Sequence, residues 1–347
     1  MSVVVDGSFP SEQVRELVRL SRQGYSLLKA EKITEARECF EQILKTDTHN
    51  AFALAGLADI ARKNREYGEA LILYQTCLEH HSDNNYARFG LADCYRGLRD
   101  YTNAIAQWQI CLKNDPANPS IIMHLAETHR ILNEFSKARE YYTSVLDPDP
   151  QNEPALRGLG YLYFDARMYE QAASCWERLA DGGTRAGSDV TVLTMAGDCR
   201  RRLADYERAL RYFKQALASA PTHFMSLFGT ADCCRGLKRY KEAKTYFDRI
   251  LKAEPHNPSI LTRAGDVCVN MGELESARDY YNKALTRGSN IFALFGLVKI
   301  ERSGGNFKQA LEFLTRMQEK YPHNRRVLRE IKECGTQLER EQGGQTA

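Results

Sequence analysis

Apolar residues recur along this chain with helical spacing, in paired segments of about a dozen residues each. A short polar turn, such as Lys63 to Glu66 or Gly97 to Asp100, separates the two members of a pair. Each pair predicts a helical hairpin. The stretch from Asn85 to Asn118 returns as Phe224 to Asn257, with Phe89/Phe228, Asp93/Asp232, Arg96/Arg235, Tyr101/Tyr240, Ala104/Ala243 and Pro116/Pro255 in register. A period of 34 residues starts at Leu17. Periods of this size belong to stacked supersecondary units whose faces are buried only by neighbouring units. Function is therefore expected on a surface.

The units are 17–50, 51–84, 85–118, 119–152, 153–186, 190–223, 224–257, 258–290 and 291–324. All nine carry an alanine in the second segment, from Ala36, Ala70 and Ala104 through to Ala310. Four residues later stands a ring, such as Phe40, Tyr74, Trp108 or Trp176, with Leu314 the exception. A small residue lets the two helices approach, and the ring fills the wedge beside it. Prolines such as Pro116, Pro150 and Pro255 end second helices, where a ring without an N–H cannot continue them. Asparagines including Asn50, Asn84, Asn118 and Asn324 then stand where they cap the next helix, each contributing about 1 kcal/mol.

These residues resemble the tetratricopeptide repeat, whose pattern is seen in Leu156, Leu159-Gly160, Tyr163, Ala172 and Trp176. The resemblance implies an all-α fold, a right-handed α-solenoid or superhelix of about nine hairpins over 11–324. A capping helix over 325–340, with Val327, Leu328, Ile331 and Leu338 on one face, is expected to cover the last unit. Residues 1–10 are expected to form an N-terminal tail, and 341–347 a disordered one. Between the fifth and sixth units, Asp181 to Asp189 inserts three residues rich in glycine. It reads as a longer loop, because the frame resumes at Val190, and it would also serve as a hinge.

In this family the first helix of each repeat lines a concave groove for a partner peptide or helix. The resemblance implies that the second, fifth, ninth, twelfth and thirteenth positions face it. The ninth is mostly acidic, as at Asp59, Asp93, Glu127, Asp198, Asp232 and Asp266. The twelfth is mostly arginine, at Arg62, Arg96, Arg130, Arg201, Arg235 and Arg302. Residues three apart share a helix face, so acid and arginine can pair, which stabilises an exposed helix by about 0.2 to 0.5 kcal/mol. The ladder can hold neighbouring helices in register, or it can bind peptide carbonyls and amides through charge-assisted hydrogen bonds. Rings join it: Phe89, Phe228 and Phe295 at the fifth position, Phe52, Tyr86 and Phe292 at the second, and Arg157, Tyr161 and Phe164 in the fifth unit. Rings beside arginines are the composition of interface anchors. The lysines and asparagines with which some members grip a chaperone's terminal carboxylate are replaced here by Ser21/Tyr25, Ala55/Asp59 and Phe89/Asp93.

Composition narrows the choice. With 48 basic and 45 acidic residues and no long block of either sign, the chain is not expected to bind nucleic acid. No run approaches the roughly 18 apolar residues that a membrane-spanning helix needs, and the first ten residues lack a signal peptide's pattern. The cysteines recur at fixed repeat positions, as in Cys94, Cys199 and Cys233, which suits buried fillers in a reducing, cytoplasmic setting. His80, His81, His124 and His129 lack metal-ligand spacing, and no phosphate loop follows a strand. The expectation is a non-catalytic scaffold or adaptor, without cofactor or metal, that binds a protein or peptide partner. The alternative is a receptor that tightens around a signalling peptide and changes its affinity for a target.

Overall fold

The structure, a computed structural model, describes residues 11–183, 185–286 and 290–343, and the expected tail over 1–10 lies outside them. The chain divides into two compact units, Met1–Leu162 and Tyr163–Ala347. Every regular element among the described residues is helical.

In the first unit, α1 (Ser11–Lys29) pairs with α2 (Ile33–Thr46), α3 (Ala51–Lys63) with α4 (Tyr67–His80), α5 (Asn85–Gly97) with α6 (Tyr101–Asn114), and α7 (Pro119–Ile131) with α8 (Phe135–Leu146). The division falls within α9 (Glu153–Asp165). The second unit continues with α10 (Tyr169–Asp181), α11 (Val190–Arg202) and α12 (Tyr206–Ser219). Then follow α13 (Phe224–Gly236) with α14 (Tyr240–Ala253), α15 (Pro258–Met271) with α16 (Leu274–Leu285), α17 (Ile291–Ser303) with α18 (Phe307–Lys320), and α19 (Arg325–Gly343). Within the first unit α1, α3 and α5 pack side by side, and within the second so do α11 with α13 and α15 with α17. First helices therefore share a face in each unit.

The crossing alanines and the rings beside them are buried, Ala104 and Trp108 completely. Each ring also reaches across to the next hairpin. A Cβ added at Gly90 would lie 2.3 Å from the Tyr74 ring, one at Gly158 2.3 Å from Tyr142, and one at Gly229 2.3 Å from Phe213. At Gly90, Gly158 and Gly229 the sixth position of the first helix is thus kept empty for the ring of the hairpin before it.

Hairpin turns place one residue in the left-handed region. Glu31, Arg65, Arg99, Asn133, Arg167, Ala204 and Lys238 all have positive φ, as do Gly272 and Gly305. The following N–H closes the first helix, as when Asp100 donates to the Tyr95 carbonyl at 2.8 Å. At the other end of the hairpin, Asn50, Asn118, Asn257 and Asn290 accept from two backbone N–H groups each, and Asn84 and Asn152 from one. Several of these caps are themselves held three residues back: Asn50 donates to Asp47, Asn118 to Asp115 and Asn257 to Glu254.

In the insertion, Arg185–Ser188 forms one turn of 3-10 helix packed against α10, α11 and α12, while residue 184 lies outside the described residues. A Cβ at Gly187 would meet the Ala180 carbonyl oxygen at 2.7 Å, so the close approach needs glycine. The last helix, α19, buries Val327 and Cys334 against α17 and α18. It continues past Arg340 to Gly343, and 344–347 lie outside the described residues.

Candidate functional site

The acid column of the first helices is buried in part: Asp93 and Glu127 are half-buried, and Asp266 is exposed. Asp59, Asp198 and Asp232 are buried, at 6%, 9% and 7% exposure. Burial of a carboxylate requires compensating partners, and here they come from three directions. One is the arginine three residues on. A second is the preceding repeat: Arg62 binds Asp59 at 3.1 Å and Asp93 at 3.2 Å, and Arg201 binds Asp198 at 2.5 Å and Asp232 at 2.8 Å. Each of these arginines ties two adjacent first helices together.

The third source is the ring of the second helix. Where it is tyrosine, its hydroxyl donates to the acid: Tyr74 to Asp59 at 2.6 Å, Tyr142 to Glu127 at 2.8 Å and Tyr281 to Asp266 at 2.7 Å. Tryptophan and phenylalanine have no such hydroxyl, and arginine or histidine nitrogens take its place. Asp93, in the hairpin of Trp108, has Arg62, Arg96 and the His124 ring at 3.2, 3.4 and 3.9 Å. Asp232, in the hairpin of Phe247, holds Arg201, Arg235 and Arg263 at 2.8, 2.7 and 3.2 Å. Asp198, in that of Phe213, holds Arg201 and Arg202. His124 and Arg263 occupy the sixth position, where the next hairpin after a tyrosine carries Gly90, Gly158 or Gly296.

Charge states follow. Burial would raise the Asp232 carboxyl, but its bond to Arg235 and the charges of Arg235, Arg201 and Arg263 outweigh that and hold it below its ordinary value. Glu127 is lowered in the same way, against burial, by Arg130 and Tyr142. Burial lowers His124, with Arg96 and Arg62 adding to it and Asp93 opposing. The ten cysteines are free and buried, and burial pushes Cys94 and Cys233 up to about 12. Among the described residues no group of three or more histidine, cysteine, aspartate or glutamate side chains could hold a metal ion. No helix among them is long and apolar enough to cross a membrane.

The fifth-position rings go inward. Phe89 packs beside Trp108 and edge-on to His124 at 5.1 Å, Phe228 packs under Arg263 at 5.0 Å, and Phe295 is 9% exposed beneath Arg326 at 3.9 Å. In the fifth hairpin Arg157 pairs with Glu153 at 2.8 Å, Phe164 lies under Arg202 at 5.0 Å, and Tyr161 is half-buried. Arg130 pairs with Glu127 at 2.7 Å. Of the rings in these columns, the most exposed are at the second position, Tyr86 at 41% and Phe292 at 67% exposure, while Phe52 there is half-buried. Ring identity at Tyr74, Tyr142 and Tyr281, and the interruption of glycine by His124 and Arg263, are the sequence signals that show which acids meet a ring hydroxyl and which meet an extra nitrogen from the next hairpin.

Three cavities open on these columns; the smallest, about 290 Å³ in the first unit, has Tyr86 and Phe89 on its wall. In the first unit, about 460 Å³ is enclosed by Val18, Ser21, Tyr25, Phe52, Ala55 and Tyr86, the second, fifth and ninth positions of α1, α3 and α5. Arg22 is the charged residue at its edge. In the second unit, about 910 Å³ lies along α15, α17 and α19, lined by Asp266, Phe292, Phe295 and Lys299, with Arg302 and Arg326 above. Arg235 from α13 reaches its rim. Arg235 and Phe295 thus share one cavity and Phe89 lines the smallest, while the remaining expected site residues line none of the three.

A tetratricopeptide repeat model matches residues 21–79, 56–119, 89–153 and 194–258. Two further models of that repeat match 235–290 and 292–324. The comparison with curated proteins gives no match. Among solved structures, the C-terminal part of a TPR repeat-containing protein from Cytophaga hutchinsonii is similar, with a TM-score of 0.60 and 19% identity, over 70% of this chain and 98% of that one. YrrB, described as a TPR protein with an unusual peptide-binding site, has a TM-score of 0.49 and 19% identity, over 54% and 96% of the two chains. PilF of Pseudomonas aeruginosa reaches 0.47 and 18%, over 64% and 98%. At 19% identity the Cytophaga hutchinsonii structure carries the fold alone.

Proposed function

Because the chain belongs to the tetratricopeptide repeat family, we propose that it is a non-catalytic interaction scaffold that holds a segment of a protein partner against its first helices. The observation that carries this reading is the two larger cavities on the second, fifth and ninth positions, each with an outward ring at its mouth, Tyr86 in one unit and Phe292 in the other. Aromatic side chains contribute large contact area at low entropic cost, which makes them interface anchors.

The acid and arginine columns have a supporting role in this scheme. Their charges are largely spent on one another within the protein, so they fix the spacing of first helices on which the cavities depend. Near balance of charge over the chain favours a protein or peptide over nucleic acid. Ten buried, protonated thiols suit a reducing compartment such as the cytoplasm.

A photo-crosslinking phenylalanine analogue placed at Phe52 or Phe292, and at the exposed Ile72 on α4 as control, tests the reading in lysate of the source cell. One partner captured from Phe52 or Phe292, absent from Ile72 and lost on Tyr86→Ser or Phe295→Ser, is the expected result. Equal capture from all three positions would remove the cavities as the binding surface.

A further inference from the structure

We infer that the cavity of the second unit takes an acidic, amphipathic partner segment: a carboxylate side chain beside a bulky apolar one. The inference rests on the scaffold reading above and names the chemistry of its partner.

The starting point is a reversal in the acid column. The ninth position is acidic at Asp198, Asp232 and Asp266 of this unit, but in the last hairpin it is Lys299. Lys299 is exposed, lines the cavity and has no ion-pair partner among the described residues. The reversal is felt by its neighbour. Arg302, which elsewhere in the column would pair with an acid three residues back, turns instead to Glu330 and Glu333 of α19. Lys299 is therefore not needed to hold Arg302, and its charge is left facing the cavity.

The rest of the wall agrees. Arg235, Lys299, Arg302 and Arg326 face Asp266 and Glu330, four cations against two acids. Arg235 is held by Asp232 and Arg302 by Glu330 and Glu333, so the charge left on the wall is that of Lys299 and of Arg326, which Glu330 approaches at 3.9 Å; Asp266 accepts from Tyr281 at 2.7 Å. Phe292 at 67% exposure and Phe295 under Arg326 supply an apolar floor next to this positive rim. A carboxylate at Lys299, with an apolar side chain laid on Phe292, satisfies both at once. Charge complementarity of this kind fixes which partner is accepted and speeds encounter. The first unit's larger cavity, with Arg22 alone at its edge, lacks this feature.

Selection of a random-peptide phage library on the full chain tests the assignment, with Lys299→Glu and Lys299→Ala chains in parallel. Glutamate at 299 restores the acid that the column carries elsewhere, three residues before an arginine, so the variant is expected to fold as the parent does. The expected result is enrichment of Asp or Glu next to Leu, Ile, Phe or Trp on the parent chain. Synthetic copies of the enriched peptides should bind Lys299→Glu about tenfold more weakly, and bind the parent more weakly as NaCl rises. Neutral or basic enrichment, or equal affinity for Lys299→Glu, overturns the assignment; so does competition by a poly(U) oligonucleotide for the same site. If enriched peptides crosslink only at Phe52, the scaffold reading stands and this assignment falls. If no peptide is enriched and no partner crosslinks at either cavity, both fall.

Discussion

Asp59 in the first unit and Asp232 in the second meet one problem with different chemistry. Both are carboxylates buried on the first-helix face, and in the first unit Asp59 is held by the hydroxyls of Tyr74 and Tyr86 with one arginine. In the second, Asp232 is held by three arginines and no hydroxyl. The difference follows from one atom of a core ring, since Phe247 lacks the hydroxyl that Tyr74 presents. At the surface the units differ as well: the second has the cation-rimmed cavity, and the first has the cavity of rings and alanines.

The largest expected effect separates the two arrangements. Asp232→Ala strands Arg235 and Arg263, leaves Arg201 with Asp198 alone, and should cost about 3 kcal/mol in urea unfolding. Tyr74→Phe leaves Asp59 with Tyr86 and Arg62 and should cost about 1 kcal/mol. Equal losses would break the comparison.

Next come the sixth-position glycines, where the units should agree. Gly90→Ala and Gly229→Ala each drive a methyl into a fully buried ring, Tyr74 or Phe213, and each should cost about 2 kcal/mol by the same measurement. A neutral Gly229→Ala would show that the second unit is the looser of the two.

Acid sharpens the contrast. Asp232 binds a proton more weakly when folded than its ordinary value of 3.8 implies, so the unfolded chain takes up that proton first. Its contribution is complete above the ordinary value and is lost as pH falls through the lowered one. Asp232→Asn should therefore be less stable than the parent at about pH 7, with a shallower fall toward about pH 3, in thermal melts followed by circular dichroism. An unchanged acid limb would mean that the arginine cluster does not act on this carboxylate.

The smallest effect belongs to a feature the units share. Arg99 and Ala204 sit at φ of 62° and 60°, and glycine at either should raise stability by about 0.5 to 1 kcal/mol, equally in both.

Much of this protein is legible in its sequence, because hairpins depend on local regularities. Helical spacing of apolar residues, an alanine at each crossing and asparagines before each first helix are one-dimensional signals, and Asn118 and Asn257 accept from the N–H groups their positions imply. The columns of acids and arginines are legible too. Their job is not, since position alone leaves Asp93 and Asp232 open to solvent or to a ligand.

Only the tertiary structure decides that, because burial and pairing depend on which side chains of neighbouring hairpins meet. It turns Phe89, Phe228 and Phe295 inward, brings Arg201 across to Asp232, and leaves Tyr86 and Phe292 outward. Lys299 shows the division well. Its reversal of the acid column can be read from the chain, but that Arg302 turns to α19 and leaves Lys299 facing a cavity is set by contacts between helices far apart in sequence.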